Sequence, residues 1–318
     1  MTRNLCVIVL WALLLLPVSL AAQPAAVSPF PRGLSGTLAF QSDARSASNP
    51  NGRVRLYTID LATGRIAPLG TGGEWDDEQP RWSPDGRRVA FKSNRGGSYN
   101  LYVMNADGTN VVRLTNHAAN DHDPTWLPDG QSMVFSSERD RGVGRNDLYR
   151  LWLNDGRVDR LTTFFDGYAI MPTVSPDGNW VGFVAYTFPH DGGWTFQVHV
   201  LEIATLMTWP FDMTGPGCWP NWSPDGQSIA HVWMGAGPTS IQIVSSFGES
   251  PQVVPGEPGR WHYYPDWSPD GQFLALSVSP EHHEGEDWDL AIADPSRTQP
   301  LRRLTTGAGN DRLADWRP

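Results

Sequence analysis

The chain has 318 residues, with 34 acidic against 24 basic side chains, a net charge of −10, 40% hydrophobic content, 32 glycines and 27 prolines. That balance suits a folded, turn-rich protein and excludes a disordered one. An acidic surface repels phosphate, which argues against nucleic acid and anionic membrane surfaces as partners. Lys92 is the only lysine; every other basic residue is arginine.

Residues 1–22, MTRNLCVIVLWALLLLPVSLAA, carry a positive charge at Arg3, an apolar run from Leu5 to Leu16 and a small-x-small end at Ser19-Leu20-Ala21. This is the pattern of a signal peptide. The apolar run falls short of the roughly 20 residues that a spanning helix needs. Export to the periplasm or the extracellular space is therefore expected, without stable membrane insertion after cleavage. Cleavage would leave Cys218 as the only cysteine, so no intramolecular disulfide is expected.

Residues 23–35 read as a linker. From Gly36 the chain gives three β-rich segments, GTLAFQSD (36–43), RLYTIDLATG (55–64) and RIAPLG (65–70). A repeat then begins: PRWSPDG (80–86), PTWLPDG (124–130), PTVSPDG (172–178), PNWSPDG (220–226), PDWSPDG (265–271) and, at the end, ADWRP (314–318). The aligned Trp or Val positions are 44, 48, 48, 45 and 49 residues apart. A period of about 45 residues is that of a four-stranded propeller blade.

Within each period the Trp segment, the stretch after PDG and two further short runs supply four strands with alternating apolar residues. Ser-Pro-Asp-Gly is hairpin chemistry: proline presets φ, aspartate bonds its own backbone, and glycine accepts the left-handed conformation. Each Trp is expected to wedge between neighbouring blades.

The first unit lacks a Trp strand, and the last segment is a Trp strand alone. The expectation is an all-β, six-bladed β-propeller over 36–318, closed by the C-terminal strand completing blade one. Closure removes the open sheet edge.

The P-x-W-S-P-D-G repeat with its trailing R-L-T resembles the TolB-type, WD40-like propeller repeats of bacterial envelope proteins and of prolyl-oligopeptidase-type enzymes. The resemblance covers residues 36–318. It implies a six-bladed propeller, an exported location and a protein-binding role; in TolB proteins the propeller serves the envelope-maintaining Tol–Pal machinery. The α/β domain that precedes the propeller in TolB proteins is not expected here. No G-x-S-x-G nucleophile elbow occurs, so the resemblance does not extend to peptidase activity.

The PDG turns share one face, and the segments leading into the Trp strands lie on the other, where sequence varies. These segments read as loops converging on the mouth of the central channel. They place Trp75, Asp77, Glu78, Asp121, His122, Tyr168, Trp219, His262, Tyr263, Asp311 and Arg312 there as candidate ligand-binding residues. Carboxylates accept hydroxyl or amide hydrogens while aromatic faces cover apolar surface, which suits a peptide or a sugar.

No catalytic residue stands out and no cofactor is expected. A divalent metal on His122, His262, His282, His283, Asp121 and Asp311 is conceivable from residue type, but no H-E-x-x-H spacing supports it. The leading reading is a binding module for an envelope or extracellular protein, or for a carbohydrate. The alternative is a carbohydrate-active enzyme, a hydrolase or lyase, using acids and histidines at the same mouth.

Overall fold

The computed structural model describes residues 25–26 and 34–318, apart from 48, 143, 164–166, 188–194, 212–214, 236, 247, 283–285, 297–299 and 308. The expected signal peptide and His283 lie outside the described residues.

Each SPDG turn forms the hairpin that its sequence demands. In the first, Ser83 Oγ donates to Asp85 Oδ1 at 2.6 Å and accepts from Arg88 N at 2.9 Å, while Gly86 takes a φ of 64°. The same network recurs at Ser175, Ser223 and Ser268. Blade three has Leu127 in place of the serine and keeps the turn through its backbone bond from Gly130 N.

From these hairpins six four-stranded antiparallel sheets follow. Blade two runs Asp77–Trp82, Arg88–Gly96, Ser98–Asn105 and Val112–Arg113, from first strand to fourth. Blades three to six repeat this order from Asp121–Trp126, Tyr168–Val174, Gly217–Trp222 and Trp261–Trp267. Blade one takes its first strand, Arg312–Trp316, from the C-terminus and continues with Thr37–Ser42, Arg55–Asp60 and Ile66–Pro68. Each first strand touches the first strands of both neighbours, so these six form the innermost ring, and the closure expected from the sequence is present.

Packing follows the two-residue period. In the second strands Phe40, Phe91, Phe135 and Phe183 sit at one register and are essentially fully buried. The first three face Tyr57, Tyr102 and Tyr149 across the sheet, with ring centroids 5.7, 5.8 and 5.8 Å apart. The aligned tryptophans reach the preceding blade: Trp126 Nε1 donates to Arg81 O at 3.1 Å and Trp267 Nε1 to Asn221 O at 3.2 Å. Part of the segment expected as a linker forms a separate two-stranded sheet, Ala25–Ala26 lying antiparallel to Thr305–Thr306 just after the last strand of blade six. Among the described residues no helix is long and apolar enough to cross a membrane.

Candidate functional site

The segments expected as loops into the channel mouth are largely strand. Asp77, Glu78, Asp121, His122, Tyr168, Trp219, His262, Tyr263 and Arg312 all lie inside innermost strands; Trp75 and Asp311 precede them. A bulge three residues before the aligned Trp or Val is the reason. There Gln79, Asp123, Met171, Trp219, Tyr264 and Leu313 take φ values between 49° and 55°, and the strand register shifts by a residue. Five of the six precede a proline, so the sequence reads as a turn although the ladder resumes beyond the bulge.

The six bulge residues stand at one level around the axis. On the side of blades two and three they are polar: Asp123 N donates to Gln79 Oε1 at 2.8 Å, and Gln79 N to Gln41 Oε1 at 2.9 Å. On the other side Met171, Trp219, Tyr264 and Leu313 belong to one apolar cluster, with Trp219 edge-on to Tyr264 at 4.6 Å. One residue before the aligned Trp, Arg81 pairs with Asp315 at 3.1 Å, and Asp266 accepts from Asn221 Nδ2 at 3.0 Å and Trp316 N at 2.7 Å. Burial and the neighbouring Asp315 carboxylate raise the pKa of Asp266.

The acids five residues before the aligned Trp do not gather into one ring. Asp77 holds Arg95 through both oxygens at 2.8 and 2.9 Å, and Asp121, fully buried, holds Arg139 at 2.8 Å. Both arginines sit over the aromatic pairs of their own blades: Arg95 lies 5.0 Å from the Tyr102 centroid, and Arg139 lies 4.9 Å from that of Phe135. Trp75 caps the first pile, donating Nε1–H to Asp77 at 3.3 Å with Arg95 over its ring. Blade one has the same aromatic pair but Ala44 where its neighbours have arginine. Buried Asp311 is accordingly pushed up to about 6 by desolvation.

One residue along, Glu78 accepts from Tyr99 Oη at 2.7 Å and pairs with Lys92 at 3.2 Å. Lys92 lies over the Tyr99 ring, and His122 from the next blade stands 6.2 Å from it. Burial, with the Lys92 charge adding to it, lowers the His122 pKa, so the imidazole is neutral at pH 7. Here the structure joins two expected site residues from adjacent blades, Glu78 and His122, through Lys92 and Tyr99, which are not among the expected site residues. The signal was the sole lysine of the chain.

His262 is 4% exposed, accepting from Glu257 N at Nε2 (3.0 Å) and facing Thr239 O at Nδ1 (3.3 Å). Burial lowers its pKa. Tyr263 packs on fully buried Trp288 at 5.2 Å, with Arg312 over the same indole at 5.7 Å. Tyr168 lies under Arg145 at the edge of blade four. Cys218 is buried against Met234, and desolvation raises its thiol pKa. Among the described residues no group of three or more His, Cys, Asp or Glu is placed to hold a metal ion.

A family profile described as TolB beta propeller domain matches residues 39–207. An uncharacterized protein of Agrobacterium fabrum is 31% identical over 188 residues, which is 56% of this chain and 46% of that protein. A protein TolB homolog of Chlorobium luteolum is 28% identical over 169 residues, 53% of this chain and 36% of that one. The match thus spans less than half the length of these relatives. In fold, the crystal structure of TolB from Acinetobacter baumannii superposes with a TM-score of 0.71 at 20% identity, covering 92% of this chain and 69% of that one.

Proposed function

Since the chain belongs to the TolB β-propeller domain family, we propose that it is an exported binding module that holds an envelope or extracellular protein on the face opposite the PDG turns. The observation that carries this reading is the asymmetry of that face. The SPDG hairpins repeat one hydrogen-bond network in four blades, whereas the mouth positions diverge into a polar half and an aromatic half. A ring that needed only to close could use the same side chains six times. Divergence at one rim creates a surface with a fixed orientation, as a single asymmetric partner requires.

The Glu78, Lys92, Tyr99 and His122 cluster supplies donors and acceptors, and Trp219 supplies an indole beside the axis. Both carboxylates that a hydrolase or lyase would draw on, Asp77 and Asp121, are occupied by guanidinium groups. This weighs for binding over acid–base chemistry there.

The test is affinity capture from envelope and culture extracts of the source organism, with the purified chain as bait and a Lys92→Ala, His122→Ala, Trp219→Ala variant as control. We expect one discrete protein on the wild type that the folded variant loses. Identical captures by both baits would move the function away from this mouth.

A further inference from the structure

On the PDG side, the seam between blades four and five opens into a groove of about 820 Å³. Its walls include Trp180, Trp209, Phe211 and Trp222, and its rim carries Asp177 and Asp225. Trp209 is 41% exposed, a large cost for an indole, and stands 5.7 Å from Trp180.

Two of the other seams place an arginine in the equivalent position. Between blades two and three, Arg88 lies 4.8 Å over Trp126 and donates from Nη2 to the carbonyl of the turn glycine Gly130 at 3.1 Å. Between blades one and two, Arg317 lies 5.0 Å over Trp82 and donates from Nε to the Gly86 carbonyl at 2.9 Å. Each time a guanidinium from one blade covers the next blade's indole and satisfies its turn glycine.

At the four–five seam the residue in the register of Arg88, second after PDG, is Trp180. Among the described residues no guanidinium covers Trp222, while Gly226 lines the groove. The rim carboxylates are charged at neutral pH: turn hydrogen bonds lower the Asp225 pKa, and those at Asp177 outweigh its slight burial. Asp225 takes its turn bonds on Oδ1 alone.

We propose that this groove docks an arginine side chain of a partner polypeptide, stacked on Trp222 and Trp209 and donating to the Gly226 carbonyl and the Asp225 carboxylate. The planar guanidinium meets all three demands together: a flat face for indole, several donors, and a permanent positive charge that complements the acidic rim. A lysine ammonium supplies donors and charge but no flat face. The site lies on the face opposite the channel mouth and is independent of the proposed function.

The probe is a blocked Ser-Arg-Ser peptide titrated into the full ¹⁵N-labelled chain, following the indole N–H signals. We expect saturable shifts of Trp180, Trp209 and Trp222, and binding at least about 5-fold weaker for the citrulline peptide, which keeps the shape and loses the charge. Trp209→Ala and Asp225→Asn each weaken binding by about 3-fold or more. Trp180→Arg, which installs a resident guanidinium in the manner of Arg88, abolishes it. If Trp180→Arg does not fold, the exposed Trp209→Ala carries the test. Absence of saturable shifts up to about 20 mM peptide, equal binding of citrulline, or stronger shifts with cellobiose than with the arginine peptide would each overturn the proposal.

Discussion

Blades two and three build their part of the mouth from charge, and blades five and six build theirs from rings. In the first pair an aspartate, an arginine and two aromatic rings form a pile inside each blade, with Lys92 and Glu78 beside one of them. In the second pair Trp219, Tyr263, Tyr264 and Trp288 interlock with no ion pair among them. One rim of the ring therefore holds two opposite solutions to desolvation: an ion pair stacked on an aromatic, or aromatic area alone. The frame of the ring accommodates both.

The largest loss of stability is expected from removing the centre of the aromatic half. Trp288 is fully buried and touches Tyr263, Tyr264 and Arg312. Trp288→Ala should cost about 3–5 kcal/mol in urea unfolding. A loss below about 1 kcal/mol would mean that the rings repack freely and that the two halves do not differ as described.

In the charged half, Arg139→Met should cost about 3 kcal/mol, because it leaves the fully buried Asp121 carboxylate without its counter-charge. Adding Asp121→Asn should restore more than half of that loss. If the double variant is no better than the single, the pile is held by the guanidinium stacked over Phe135 and Tyr149 rather than by its pairing with Asp121.

Blade one tests the same contrast through pH. Asp311 has the aromatic pair and no arginine, and its pKa is raised from 3.8 to about 6 by burial. An acid with a raised folded pKa binds more protons folded than unfolded, so its contribution is present below pH 4 and is lost as pH rises through 4 to 6. Asp311→Asn should flatten that part of a melting-temperature profile and gain on the order of 2 kcal/mol at pH 7. A wild-type profile already flat between pH 4 and 6 would show that a neighbouring group answers the carboxylate.

How much of this was legible in the sequence differs between frame and site. The period, the hairpins and the closure by Trp316 are written in local chemistry, since proline, aspartate and glycine act within four residues of one another. The mouth is written across strands. Asp77 meets Arg95 and Asp121 meets Arg139 because each pair lies at the open end of a first-strand, second-strand hairpin, 18 residues apart. The repeated S-N-R and S-E-R at 93–95 and 137–139 carry that signal, but only once the bulge is counted into the register. Without it, the segments before each Trp read as loops, and the acids read as a ring facing the channel. Trp288 was hidden for a different reason: it comes from the second-to-third connection and enters the cluster from a part of the repeat whose length varies.

The smallest effect sharpens the comparison most, because it separates holding the mouth from using it. Lys92 and Glu78 are partly buried, their side chains 11% and 18% exposed, and the pair is backed by Tyr99. Lys92→Met keeps an unbranched apolar stem and removes the ammonium over the Tyr99 ring, while Glu78 keeps its bond from Tyr99, so its stability cost should be about 1 kcal/mol. The same change removes the cation that lowers the His122 pKa, the second contribution after burial. His122 should then titrate closer to its ordinary value, readable from its imidazole proton signals between pH 4 and 8. A near-silent effect on stability together with a moved His122 titration would mark the cluster as electrostatically tuned beyond what the fold requires. An unmoved titration would leave burial as the whole cause and Lys92 as one more member of the frame.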